Sequence, residues 1–337
     1  MLSSLDCQGL CDHAIPEHEA STVICQTPVL HYAPFISGTY DTHTPGLRHF
    51  QLDPANRDQA LIQMDAEFPL YYQSKQLCRQ EDLDAYYLEF QLPSDTLRCV
   101  NALLIQQLCL SYPNFFERTT EQLLYCHLSG ETLEFDSEYQ LRKHPTYVSL
   151  FDALASQVQE DIAIWQLSES EDYLAALHVC FPNGWAPAEK IGRSFAEIHT
   201  SVPDMERQRN QYLPMLKGLI QKPAFVRFIW DLRTDSILNH LPARPLFDAF
   251  NLDHPQLYVR LERQVLHGLP TCHAVLFMIR TYHYPVQSLS LVELQGIDQA
   301  LAGMSPDLLA YKHLSADYDA IRLYLQGLIQ ADSNKRK

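Results

Sequence analysis

The run LYVRLERQVL, Leu257 to Leu266, repeats with a period of two. Tyr258, Arg260, Glu262 and Gln264 share one face, and Leu257, Val259, Leu261, Arg263 and Val265 the other, as the alternating side chains of a strand require. Phe225 to Leu232 and His273 to Tyr282 are further runs rich in β-branched and aromatic residues, which fit a pleated surface. Pro270, Thr271 and Cys272 make a tight connection between the last two. Upstream, Asp161 to Gln166 and Tyr173 to Phe181 are short apolar runs split by the acidic turn Ser168 to Asp172, a hairpin signal.

Helical spacing lies on either side of these strands. Asp53 and Pro54 are a cap and a first helical residue. Leu61, Met64, Phe68, Tyr71 and Tyr72 follow near helical spacing, and Pro69 is expected to kink or end the run. Ser94 opens a second helix with an apolar face of Leu97, Val100, Leu103, Leu104 and Leu108. Residues 120 to 143 read as a short helix and turn, with a possible strand at Leu133 to Tyr139. Pro145 to Gln159, Met205 to Gln221, Val286 to Leu301 and Ser305 to Ile329 read as helices. The class expected is α+β, an antiparallel sheet of about five strands with helices before and after it. The chain divides into an irregular arm at 1–53, a mainly helical region at 54–159, a sheet core at 160–285 and C-terminal helices at 286–337.

The chain has 337 residues, 46% of them hydrophobic, and a formal net charge of -16. That charge argues against nucleic acid, whose partners carry basic patches, and against an anionic membrane surface. It suits a cytoplasmic protein or one that tolerates cationic small molecules. The nine cysteines include no CxxC pair, which points to reduced thiols in a reducing compartment. Cys7 and Cys11 beside Asp12 and His13 form either a weak metal cluster or part of a flexible terminus. No signal peptide is visible, and no apolar run approaches the ~18 residues of a spanning helix.

Phosphate-cradling glycine motifs, GxSxG, HExxH and CxxCH are all absent. Any haem is therefore expected to be held non-covalently, and any redox chemistry to draw electrons from a separate reductase. The stretch His178 to Pro203, HVCFPNGWAPAEKIGRSFAEIHTSVP, crowds Gly, Pro and ionisable residues together. His199 in it is either a buried histidine bonded to a backbone carbonyl or an axial metal ligand. Arg227, Arg260, Glu262, Arg263, Arg280 and Tyr282 lie on successive strands. They form either an Arg–Glu ladder or a polar pocket whose arginines hold carboxylates such as haem propionates. Lys190 and Arg193 are either surface charges or further propionate contacts. Core packing is the default for His178 and Cys180.

The 178–203 stretch, with FVRFIW at 225–230, LYVRLERQVLHGLP at 257–270 and AVLFMIRTYHYPV at 274–286, resembles the haem-dependent oxidative N-demethylases. GLRHFQLDP at 46–54 is similar to the family's N-terminal segment. The resemblance implies a PAS-like haem-binding core at 160–285 carrying haem b. It implies oxidative demethylation of a small secondary amine such as dimethylamine, with O2 consumed and formaldehyde released. Partner reductase subunits with flavin and iron–sulfur centres would supply the electrons. His199 matches the family's IHxxVP histidine, the implied iron ligand. Arg227, Glu262 and Tyr282 match segments placed around the pocket as catalytic groups, and Arg280, Lys190 and Arg193 become cofactor contacts. Ile229 stands where the family usually has Asn. That departure keeps a second reading in play, a non-catalytic haem or small-ligand sensor of PAS type, beside a haem-free scaffold.

Overall fold

Alternation in the middle of the chain builds one large sheet. The computed structural model describes residues 19–40, 46–49, 60–203, 209–222, 224–242 and 248–335. The strands are β1 (Arg48–His49), β2 (Tyr87–Glu89), β3 (Phe116–Thr120), β4 (Leu123–Cys126), β5 (Glu131–Glu134), β6 (Asp161–Leu167), β7 (Asp172–His178), β8 (Phe225–Arg233), β9 (Tyr258–Leu269) and β10 (Ala274–Pro285). Seven form a sheet in the order β1-β8-β9-β10-β6-β7-β2, and β3-β4-β5 form a separate sheet. All pairings are antiparallel.

The expected sheet of about five strands is therefore corrected to seven, plus a second sheet of three. The five central strands are those read from the sequence. The two additions are edge strands of two and three residues, too short to leave an alternating pattern. The second sheet occupies part of the region read as mainly helical. Its strands carry charged and threonine residues on exposed positions, which blurs the apolar signal.

The helices are α1 (Glu19–Gln26), α2 (Phe68–Tyr86), α3 (Ser94–Ser111), α4 (Leu150–Ser156), α5 (Phe195–Ile198), α6 (Arg209–Ile220), α7 (Leu291–Gly303), α8 (Pro306–Tyr311) and α9 (Tyr318–Lys335). Pro69 opens α2 rather than ending a helix, because a missing N–H costs nothing in a first turn. The cap at Asp53 and Pro54, the start of the helix expected from Met205 and the Cys7–His13 group lie outside the described residues.

The two faces of the sheet pack differently. On the rear face, Ile162, Ile164, Val265, Leu276 and Met278 join a core with α3 and α4. Leu232, Val259, Leu261 and Tyr284 join α7 and α9. On the front face, Ala163, Trp165, Leu266 and Val275 meet Phe195, Tyr212 and Leu216 from α5 and α6. Gly268 of β9 lies under α6, and a Cβ there would stand 2.4 Å from the Ile220 carbonyl oxygen. Only glycine admits that approach.

Buried charge fixes the rear face. Arg263 donates to the carbonyls of Leu61 at 3.1 Å and Ala60 at 2.8 Å. Arg280 donates to both oxygens of Asp65 at 3.1 Å and to Glu67 at 3.4 Å. Its guanidinium lies 3.8 Å from the Tyr71 ring centroid and 4.6 Å from that of Tyr282. Tyr282 donates to Gln63. Together they bind residues 60–67 and the start of α2 to the sheet. Removing one partner of a buried ion pair costs about 3–5 kcal/mol, because the other charge is left unpaired. Losing a neutral hydrogen bond costs about 1 kcal/mol. Urea denaturation is therefore expected to show Arg280→Ala losing about 3–5 kcal/mol and Tyr282→Phe about 1 kcal/mol. Equal losses would show that the charge does not dominate this contact.

Candidate functional site

The front face and the segment 185–202 enclose a cavity of about 850 Å³. That is near the upper end of the ~300–1,000 Å³ typical of small-molecule sites. Trp165, Leu266, Val275, Phe277 and Ile279 provide an apolar floor, and Trp185, Ile198 and Val202 line the other side. The lining residues of β8, β9, β10 and β6 are in register. Arg227 opposes Gln264, Gln264 opposes Ile279, and Ile279 opposes Asp161.

His199 enters the cavity from the end of α5. That helix has only four residues, too few to hold itself in water. A capping box compensates: Ser194 Oγ accepts the Glu197 N–H at 3.3 Å, and Glu197 Oε2 accepts the Ser194 N–H at 2.8 Å. Asp172 accepts the Phe195 N–H at 2.7 Å and the Trp165 indole N–H at 3.1 Å, tying α5 to the sheet. His199 Nδ1 lies 2.8 Å from the Phe195 carbonyl and its ring stacks on Phe195 at 4.1 Å. A carbonyl only accepts, so Nδ1 carries the hydrogen and Nε2 keeps its lone pair. Histidines that bind metals are oriented in this way. The carbonyl-bonded histidine and the metal ligand are thus compatible readings of one residue. Burial drives the His199 pKa down to about 4, with Arg227 and Lys190 assisting and the Phe195 carbonyl opposing.

A hydrogen-bonded row runs along β8 and β9 on the same face. Arg227 Nε donates to Gln264 Oε1 at 2.6 Å, and Gln264 Nε2 donates to Glu262 Oε2 at 2.7 Å. Arg260 Nη1 donates to Glu262 Oε1. Arg260 Nη2 also reaches the Phe181 carbonyl at 2.9 Å. Burial works to raise the Glu262 pKa, but Arg260, Gln264 and Arg227 bring it below the usual value. The ladder exists, and it lies inside the cavity rather than on an exposed face. Among the described residues the Arg227 guanidinium makes one hydrogen bond, through Nε. Its two terminal nitrogens have no protein partner among the described residues. Lys190 lines the cavity and donates to the Ile198 carbonyl at 3.3 Å.

The remaining residues singled out from the sequence lie elsewhere. Arg280 and Tyr282 are on the rear face, because Arg280 pairs with Arg263 and Tyr282 with Leu261. They clamp residues 60–67 and do not line the cavity. Arg193 is exposed and does not line it either. His178 is buried 3.1 Å from Asp152, as core packing predicts. Sequence reading gave no role to Asp161, Asp231 or Lys312, all of which line the cavity. The signal for Asp161 was present: an acid opening an apolar strand has no reason to be there unless its carboxylate is used.

A family model described as haem-dependent oxidative N-demethylase, alpha subunit-like, matches residues 53–322. The chain belongs to this family. Its members are oxidoreductases by that description, and the match covers both faces of the sheet, α2 to α8 and His199. Among the described residues, no helix is long and apolar enough to cross a membrane.

A histidine whose pKa falls on folding binds its proton less tightly in the native state, so it stays neutral until the pH approaches 4. The His199 ring proton signal is expected not to move between pH 7.5 and 5 in a histidine NMR titration of the haem-free N-demethylase-like chain. A midpoint near 6.5 would place the ring in bulk solvent and remove it from the cavity wall.

Proposed function

We propose that the chain is the haem-carrying subunit of an enzyme that oxidatively demethylates a small secondary alkylamine of the dimethylamine kind. O2 is the oxidant, and a separate flavin/iron–sulfur reductase supplies the electrons. The reaction leaves the shortened amine, formaldehyde and water. The observation that carries the reading is His199, with a neutral, oriented Nε2 at the wall of a large apolar cavity.

The residues fit a non-covalent haem b. Trp165, Phe277, Leu266 and Val275 offer flat and aliphatic contact area on the floor. His199 Nε2 is the donor for iron. Arg227 has two terminal guanidinium nitrogens without a partner among the described residues, and with Lys190 it offers positive charge for propionates. Haem supplies the oxygen and electron chemistry once bound. The protein's share is to hold the imidazole in one tautomer, exclude water with the 185–202 segment, and place the amine among the polar groups of β9 and β6. Five central strands with only short edge additions support the PAS-like description. Arg280 and Tyr282 act on this site indirectly, by fixing the sheet from behind. The words alpha subunit-like in the family description support a multi-subunit enzyme.

Aerobically purified protein is expected to show a Soret band. His199→Ala is expected to weaken haem binding at least about tenfold and to shift the band, while Arg193→Ala leaves both unchanged. With dimethylamine, O2 and a flavin/iron–sulfur reductase, the haem-loaded protein should yield formaldehyde. A bound haem without formaldehyde would favour the sensor reading, and an unaltered spectrum in His199→Ala would remove that residue as ligand.

A further inference from the structure

A small secondary amine is a cation at neutral pH and needs an anionic acceptor in a buried site. Among the described residues, three carboxylates line the cavity: Asp161, Asp231 and Glu262. Glu262 is occupied by Arg260 on one oxygen and Gln264 on the other. Asp231 is occupied by Arg233 at 2.5 Å, with the Lys312 ammonium 3.9 Å away. Each of these two already has a cation in contact.

Asp161 differs. Its Oδ1 accepts the Cys180 N–H and its Oδ2 the Phe181 N–H, both at 2.9 Å. Neither donor carries a charge, and each oxygen keeps a second lone pair. Lys75 acts on it by charge, but its ammonium donates to the Ala155 and Glu160 carbonyls rather than to the carboxylate. Asp161 also lies at the far end of the Arg227–Gln264–Ile279–Asp161 row. Three strand spacings of about 4.8 Å put the two ends about 14 Å apart. The cation suited to a propionate and the carboxylate with no cation in direct contact among the described residues are thus at opposite ends of the cavity floor.

We propose that Asp161 is the substrate-binding carboxylate, accepting an N–H of the dialkylammonium ion from the cavity side. The inference rests on the amine-demethylase reading. It assigns Glu262, one of the groups the family resemblance places as catalytic, to holding Arg260 and Gln264 in place. The charged and titratable groups that act on Asp161 are Lys75 and Cys78 of α2, Cys180 after β7 and Arg260 of β9. Burial raises the Asp161 pKa to about 6 against the pull of Lys75, the two N–H donors and Arg260. The carboxylate that binds the ammonium is therefore present above pH 6 and is lost as the pH falls below it.

Calorimetric titration of the haem-loaded protein with dimethylammonium chloride tests this without turnover. Wild-type affinity is expected to fall about tenfold between pH 7.5 and pH 5. Asp161→Asn should weaken binding at pH 7.5 at least tenfold and abolish the pH dependence, with the Soret band unchanged. Asp161→Glu should recover part of the affinity. An affinity independent of pH in the wild type, equal binding by Asp161→Asn, or no binding of dimethylammonium by the wild type would each overturn the assignment. Haem binding and the His199→Ala spectrum bear on the cofactor reading separately, so the two can fail independently.

Discussion

Arginines on both faces of one sheet are the constraint from which the architecture follows. Arg263 and Arg280 point to the rear, Arg227 and Arg260 to the front. A guanidinium taken out of water costs several kcal/mol unless its N–H groups are met. At the rear, the price is met by residues 60–67, which supply two carbonyls and two carboxylates, and by the faces of Tyr71 and Tyr282. At the front, Arg260 is met by Glu262, Phe181 and Thr281. Arg227 alone among these four is met on one nitrogen only. The Nε atoms of Arg260 and Arg280 are buried without a partner, whereas the unmatched nitrogens of Arg227 are the terminal pair, on a half-buried side chain that lines the cavity.

The orientation of His199 depends on the same sheet. A helix of one turn has no stability of its own, so α5 persists because Asp172 accepts N–H groups from Phe195 and Trp165 together. Phe195 then packs against Trp165 at 5.5 Å and Tyr212 at 5.0 Å, and carries His199 on its ring. The chain of dependence runs from β6 through Asp172 and Phe195 to the imidazole. Disturbing the sheet from the rear therefore reaches the front without any change in the cavity lining.

Much of this was legible in the sequence, and the misreadings have physical causes. The alternation in β9 is visible because its front-facing residues are polar, so Arg260, Glu262 and Gln264 could be assigned to one face directly. The run AVLFMI at the start of β10 is apolar at every position, as expected for a strand covered on both sides. It carries no parity signal, and Arg280 and Tyr282 could not be assigned a face until pairing with β9 fixed the register. His199 was found from the crowding of Gly, Pro and ionisable residues around it. Of the second sheet only β5 was touched, by the possible strand at Leu133 to Tyr139, because β3 to β5 are four or five residues long and so short a run barely separates alternation from chance.

Ile229 bears on how the work is divided within the cavity. It opposes Glu262 across the β8–β9 pair and lines the cavity beside it. An amide at that position would offer Glu262 a second neutral partner and weaken its dependence on Arg260. An isoleucine offers none, so among the described residues Glu262 is hydrogen-bonded by Arg260 and Gln264, and these with the charge of Arg227 keep its pKa below the usual carboxylate value. A carboxylate so engaged gives up more than it gains by turning to an incoming ammonium. The same apolar side chain narrows the polar part of the floor beside Glu262, which leaves the Asp161 end as the place where a small cation meets an acceptor not already committed.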